Sequence, residues 1–301
     1  MSTMLRTWIT IVFTLSAFAS PCIAEDVPFK LEQGLIIIST KIMKGDPVEA
    51  IVSTGTPESF LSADYIFKRK IRLGYTNDGP VTGHNDKIML FADVPDILVG
   101  DQKPVSLKMK QRSLAEISKA VGHEVDMILG ADYFRGKIIQ IDFKTNVIHF
   151  FEKSPLDYKT SKTSVTDSGP VSLFFKMDKP MQNFFGVGLT LPVVEDVSFV
   201  GSKIRTLFDT GESSAPFAMS FPAAKRLGLS PLPDKGISKA SQIKSISLNG
   251  YQIDQIPVLL VGKEAGFDQD ISDYGAVLGI KVLKNFLVTF DWKEKMIVLE
   301  R

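Results

Sequence analysis

A chain of 301 residues with 44% hydrophobic and 23% charged residues is long enough for two ordinary domains and too apolar for pervasive disorder. A formal net charge of +1, with no long run of Lys and Arg, gives no electrostatic case for nucleic acid as a partner. Cys22 is the single cysteine, which excludes an internal disulfide and a zinc site built on sulfur.

The first element is a leader. Arg6 supplies a positive start, residues 8–19 form an apolar stretch too short to span a bilayer comfortably, and Ala24 is a small residue before Glu25. Residues 1–24 read as a signal peptide cleaved after Ala24, the alternative being an uncleaved anchor. Pro21 argues against acylation of Cys22. Cleavage would leave a chain without any thiol, and export without disulfides points to a bacterial periplasmic or secreted protein. No later segment is apolar enough for a transmembrane helix, so no stable membrane insertion is expected after cleavage.

The rest of the chain reads mostly as β-structure. In residues 25–153, the segments 34–43 and 88–98 are rich in β-branched and alternating apolar residues, and 47–55 is an alternating strand ending in Ile51-Val52-Ser53-Thr54-Gly55. Residues 62–69 and 114–121 have helical spacing. Residues 77–85 (NDGPVTGHN) form a Gly- and Pro-rich loop between strands. The polar stretch 154–170, with prolines near both ends, is the expected linker.

In residues 171–301, a strand is expected over 184–194, with Gly186 and Gly188 as structural glycines inside it. Another covers 202–211 and ends in Leu207-Phe208-Asp209-Thr210-Gly211; a short helix follows over 222–229 and a loop over 233–241. Leu248-Asn249-Gly250-Tyr251 carries the Asn-Gly signal of a tight hairpin.

The two parts repeat one another. Residues 127–150 and 276–299 align without gaps, each an apolar pair plus Gly, a turn of helix, and two strands joined by a polar turn. Leu129, Gly130, Asp142, Lys144 and Ile148 recur as Leu278, Gly279, Asp291, Lys293 and Ile297. Upstream, each part has a strand, then Ser53-Thr54-Gly55 or Asp209-Thr210-Gly211, then a short helix.

This pairing of S/D-T-G with a later φφG, Ile128-Leu129-Gly130 and Val277-Leu278-Gly279, resembles the pepsin and retropepsin clan, and more closely the bacterial retropepsin-like aspartyl protease proteins, over essentially all of the mature chain. The resemblance implies an all-β fold of two duplicated acid-protease-like β-barrel lobes with a cleft between them and a few short helices. It implies a peptide or unfolded-protein substrate and chemistry that needs no cofactor and no metal; the oligomeric state stays open, with a monomer favoured. In the family two aspartates share a proton and activate a water. Here Asp209 is the one candidate catalytic carboxylate, supported by Thr210 and Gly211, with Ser53, Thr54 and Gly55 as a degenerate counterpart. Thr56, Glu212 and Ser213 beside the two loops, and Val81, Thr82 and Gly83 in the 77–85 loop where the family has a flap, are the expected substrate contacts.

Two positions depart from the pattern. Ser53 cannot ionise or share a proton as a carboxylate does. A nucleophilic Ser53 would need a base, and His84, His123 and His149 stand at unrelated positions. Glu212 follows D-T-G where the family has a small or hydroxyl residue, and is expected to be a solvated loop charge. Three readings remain: a weak single-aspartate peptidase, a pseudopeptidase that binds peptide, or a homodimer pairing two copies of Asp209.

Overall fold

The computed structural model describes residues 23–43, 45–77, 88–158, 163–164, 171–177, 181–229, 241–261 and 274–301. Residues 1–22 of the expected leader, the loop segment 78–87 with Val81, Thr82, Gly83 and His84, and residues 230–240 lie outside the described residues, as do most of the expected linker and its neighbours up to 170.

The fold is all-β with five short helices among the described residues, built as two similar lobes. In the first, the strand Asp46–Val52 runs parallel to Met127–Leu129, which pairs antiparallel with Phe60–Ser62, which in turn runs parallel to Val105–Arg112. In the second, Thr206–Asp209 runs parallel to Ala276–Gly279, which pairs antiparallel with Phe217–Ser220, itself parallel to Tyr251–Val261. Each set lies inside an eight-stranded sheet. The repeat legible in the sequence is therefore a repeat of strand order and direction.

The closing hairpins of the repeats build a third sheet. Ile138–Asp142 and Val147–Phe151 of the first half meet Leu287–Asp291 and Met296–Glu300 of the second, with Ile23–Pro28 and Ser172–Lys176 at the edges of this six-stranded sheet. At its centre Ile138–Asp142 pairs antiparallel with Leu287–Asp291, and Gln140 Nε2 donates to Thr289 Oγ1 at 3.0 Å. The recurring aspartates have a local reason: Asp142 Oδ1 accepts from Lys144 N (2.8 Å) and Thr145 N (3.3 Å), and Asp291 Oδ1 accepts from Lys293 N and Glu294 N (2.9 Å each). Each carboxylate thus supplies the backbone donors of its tight turn with an acceptor.

A continuous apolar core joins the lobes. Phe134 of the first half stacks on Trp292 of the second (5.4 Å between ring centroids), and Trp292 on Phe290 (5.5 Å). The buried Trp292 also donates its indole N–H to Thr190 O at 3.0 Å, so its one polar atom is satisfied.

The expected helices form at Ala63–Arg69, Ala115–Val121 and Phe221–Arg226, the first and last with Ser62 and Ser220 as N-caps. Asn249 and Gly250, at φ of 47° and 97°, form the tight turn between Ser241–Leu248 and Tyr251–Val261. Two strand expectations need correction. Over 184–194 only Gly188–Leu189 and Val193–Val194 are strands, because Asn183 Oδ1 accepts from Phe185 N (3.1 Å) and Val187 N (2.8 Å) and Gly186 sits at φ +72°. Local side-chain bonds and a left-handed glycine turn the chain there despite its apolar composition. The strand expected over 202–211 is split into Ser202–Lys203 and Thr206–Asp209. Among the described residues no helix is long and apolar enough to cross a membrane.

Candidate functional site

The strands Asp46–Val52 and Thr206–Asp209 both end at the junction of the lobes and deliver the two S/D-T-G loops against each other. Their threonines interlock. Thr54 Oγ1 donates to Phe208 O (2.9 Å) and accepts from Thr210 N (3.1 Å); reciprocally, Thr210 Oγ1 donates to Val52 O (2.8 Å) and accepts from Thr54 N (3.1 Å). Both threonines are fully buried, so each hydroxyl satisfies two backbone groups that have no access to water.

Asp209 lies where the loops touch. Its Oδ1 accepts from Gly211 N (2.8 Å), Gly55 N (2.9 Å) and Ser53 Oγ (3.0 Å). One donor comes from its own loop and two from the opposite lobe. The approach is close enough that a Cβ on Gly55 would fall 2.5 Å from Asp209 Cβ, which only glycine permits. All three donors converge on Oδ1, and among the described residues none donates to Oδ2. Burial pushes the Asp209 carboxyl above its ordinary pKa, opposed by the Gly211 and Gly55 amides and the Ser53 hydroxyl and reinforced by the negative charge of Glu212.

Ser53 is buried and occupies the place opposite Asp209. Its hydroxyl lies 2.6 Å from Thr56 Oγ1. Because its single proton goes to Asp209, Thr56 donates to Ser53, and a relay Thr56 to Ser53 to Asp209 results. Among the described residues no histidine belongs to it: His123 pairs with Glu32 and His149 with Asp26, each at 2.6 Å.

Glu212 corrects an expectation. It is buried, not solvated, and its Oε1 accepts from Ser214 N (2.7 Å), Ala215 N (3.2 Å) and the Ser214 hydroxyl. The three donors explain the burial of a residue type seldom found inside. Thr56 and Glu212 hold equivalent places: Ala131 N donates to Thr56 O (2.7 Å) and Ile280 N to Glu212 O (3.0 Å). Gly130 and Gly279 cross directly behind, a Cβ at either falling 2.6 Å from the same carbonyl oxygens. Ser213 is half-buried beside the Gly34 turn of the first lobe.

Sequence reasoning passed over two buried carboxylates near the first loop. Asp132 accepts from Ser59 Oγ (2.6 Å), Ser59 N (3.0 Å) and Tyr133 N (2.8 Å), and burial holds its carboxyl up at about 6. Glu58 accepts from Phe184 N (2.7 Å) and pairs with Lys110 (3.4 Å). The available signal for Asp132 was an acid inside the run Ala131-Asp132-Tyr133-Phe134, where a charge needs internal partners. Among the described residues no group of three or more His, Cys, Asp or Glu side chains could hold a metal ion.

No protein-family model matches the sequence, and no curated protein matches it. Among solved structures, the chain is similar to the aspartic proteinase from Irpex lacteus, at 13% identity over 91% of this chain and 96% of that chain, with a TM-score of 0.49. At that identity the likeness carries nothing about activity.

Proposed function

We propose that the chain is an exported protein of the retropepsin-like aspartic peptidase type that takes extended peptide between its lobes and hydrolyses it slowly, with Asp209 as the only catalytic carboxylate. The observation that supports this is the clamping of Asp209 Oδ1 by donors from both lobes, Gly55 N and Gly211 N, with no donor to Oδ2 among the described residues. In this reading ionised Asp209 takes a proton from water, and the water oxygen bonds to the scissile carbonyl carbon. The tetrahedral species then collapses by breaking the C–N bond, and the proton held on Asp209 passes to the leaving amine. The Ser53 hydroxyl is already committed to Asp209, so no second acid polarises the carbonyl. Loss of such a group slows a reaction by about 10²- to 10⁴-fold. The face that a second copy of Asp209 would need is occupied by the chain's own 53–55 loop, which favours one chain per site.

Ser53 at the dyad position also supports a second reading, a periplasmic module that binds peptide without cutting it. Purified residues 25–301, assayed on a mixed peptide library from acidic to neutral pH, separate the two. Slow cleavage that disappears in Asp209→Ala supports the single-aspartate peptidase, and cleavage that survives Asp209→Ala overturns it. No cleavage by wild type, with activity gained in Ser53→Asp, favours the binding module.

A further inference from the structure

The second lobe sends a hairpin across to the first. The strands Met181–Gln182 and Gly188–Leu189 flank a turn held by Asn183, whose N donates to Val187 O at 2.9 Å and whose O accepts from Gly186 N at 2.9 Å. The tip presents two aromatic rings, Phe184 and Phe185, packed edge to face at 5.3 Å.

These rings meet one face of the first lobe's sheet. Phe91 and Lys110 are cross-strand partners on Ile88–Ile97 and Val105–Arg112, so their side chains share a face. Phe185 packs edge to face on Phe91 at 5.5 Å, and Lys110 Nζ lies 4.5 Å from the centre of the Phe184 ring. Gly74, opposite Phe91, leaves space for that ring: a Cβ there would fall 2.5 Å from it. Further along, Arg135 Nη1 donates to Gly188 O at 3.4 Å.

Glu58 ties these parts together. It is 8% exposed, sits five residues after Ser53, and has both carboxylate oxygens engaged. Oε1 accepts from Phe184 N at 2.7 Å, and Oε2 pairs with Lys110 Nζ at 3.4 Å. A carboxylate so buried is held only while both partners stay in place, and removal of either leaves a charge unpaired away from water.

We propose that Glu58 is a positioning residue, the pin of an inter-lobe clasp that fixes the 183–187 turn and the strand Val105–Arg112 relative to the loop carrying Ser53 and Thr56. The clasp sets the spacing of the lobes at the site; its role in peptide uptake rests on the function proposed above, whereas its existence does not.

The test is amide hydrogen exchange, followed by mass spectrometry on the full mature chain, together with peptide affinity. In Glu58→Ala, exchange over 183–187 and 105–112 is expected to rise about 10-fold or more while 287–300 stays unchanged. Glu58→Gln keeps an oxygen for Phe184 N and loses the ion pair, so it is expected to restore protection at 183–187 while leaving 105–112 fast. Lys110→Met is expected to loosen 105–112 in the same way. Peptide affinity should weaken in step with opening. Unchanged exchange at 183–187 in Glu58→Ala, or an equal rise throughout the chain, overturns the proposal. Should Glu58→Ala fail to fold, protection unchanged at 105–112 in both Glu58→Gln and Lys110→Met overturns it. The exchange response in a protein that neither binds nor cuts peptide upholds the clasp and overturns the peptide reading.

Discussion

Within the S/D-T-G loops, scaffold and chemistry fall on different residues. Thr54 and Thr210 hold the loops together, and Asp209 alone carries ionisable chemistry. Thr54→Val or Thr210→Val strands two buried backbone groups, and is expected to lower unfolding free energy by about 3 kcal/mol in urea titrations. Ser53→Asp places two carboxylates where 3.0 Å now separates a hydroxyl from one. Like charges that close cannot both ionise, so one is expected to titrate well above the other, visible as a second limb in the pH profile of the activity gained. A separate pH effect comes from Asp132. Its carboxyl, near 6 when folded against an ordinary 3.8, binds a proton more tightly in the folded state. Its contribution is full below the unfolded value and lost as pH rises through 6, a change on the order of 3 kcal/mol. Asp209 is shifted in the same direction. Urea midpoints should therefore fall from pH 4 to pH 7.5, and fall less in Asp132→Asn. That the Asp209 loop and the Ser53 loop form a pair was legible because the S/D-T-G pattern recurs within one chain. Glu212 was not, since what buries it is a set of donors from Ser214 and Ala215 whose directions depend on the conformation of the loop.

At the level of elements, side chains that bond their own backbone decide where strands stop. Asp142 and Asp291 each cap a hairpin turn, but Asp291 is fully buried and also accepts from Tyr158 Oη at 2.9 Å. Asp291→Ala is accordingly expected to cost more than Asp142→Ala, by about 1 to 2 kcal/mol in chemical denaturation, because it orphans a tyrosine hydroxyl as well as the turn. Asn249 has a similar double duty. It adopts φ 47°, and its Nδ2 donates to Thr163 Oγ1 (2.7 Å) and Phe174 O (3.0 Å). The turn itself was readable from Asn-Gly, whereas the link to the edge strand Ser172–Lys176 was not, because those partners lie 75 to 86 residues away. The 184–194 segment misled for the converse reason. Its alternating apolar residues suit a strand, and the Asn183 side chain outcompetes the ladder locally.

Across the whole molecule, the repeat announced two lobes, and the closing hairpins were visible in it. Their pairing into one sheet was not, because period-two patterning says which face of a strand is buried and leaves its neighbour open. That shared sheet and the continuous core make the lobes one cooperative unit, so a single urea transition is expected by both circular dichroism and fluorescence, and two separated transitions would count against it. A protein prepared as residues 25–301 lacks Trp8 and keeps one tryptophan of the two in the chain. That residue, Trp292, is clasped between Phe134 of one lobe and Phe290 of the other. Its emission is thus a built-in optical gauge of lobe separation: blue-shifted while the halves are docked, red-shifting the moment water enters between them, with no label attached.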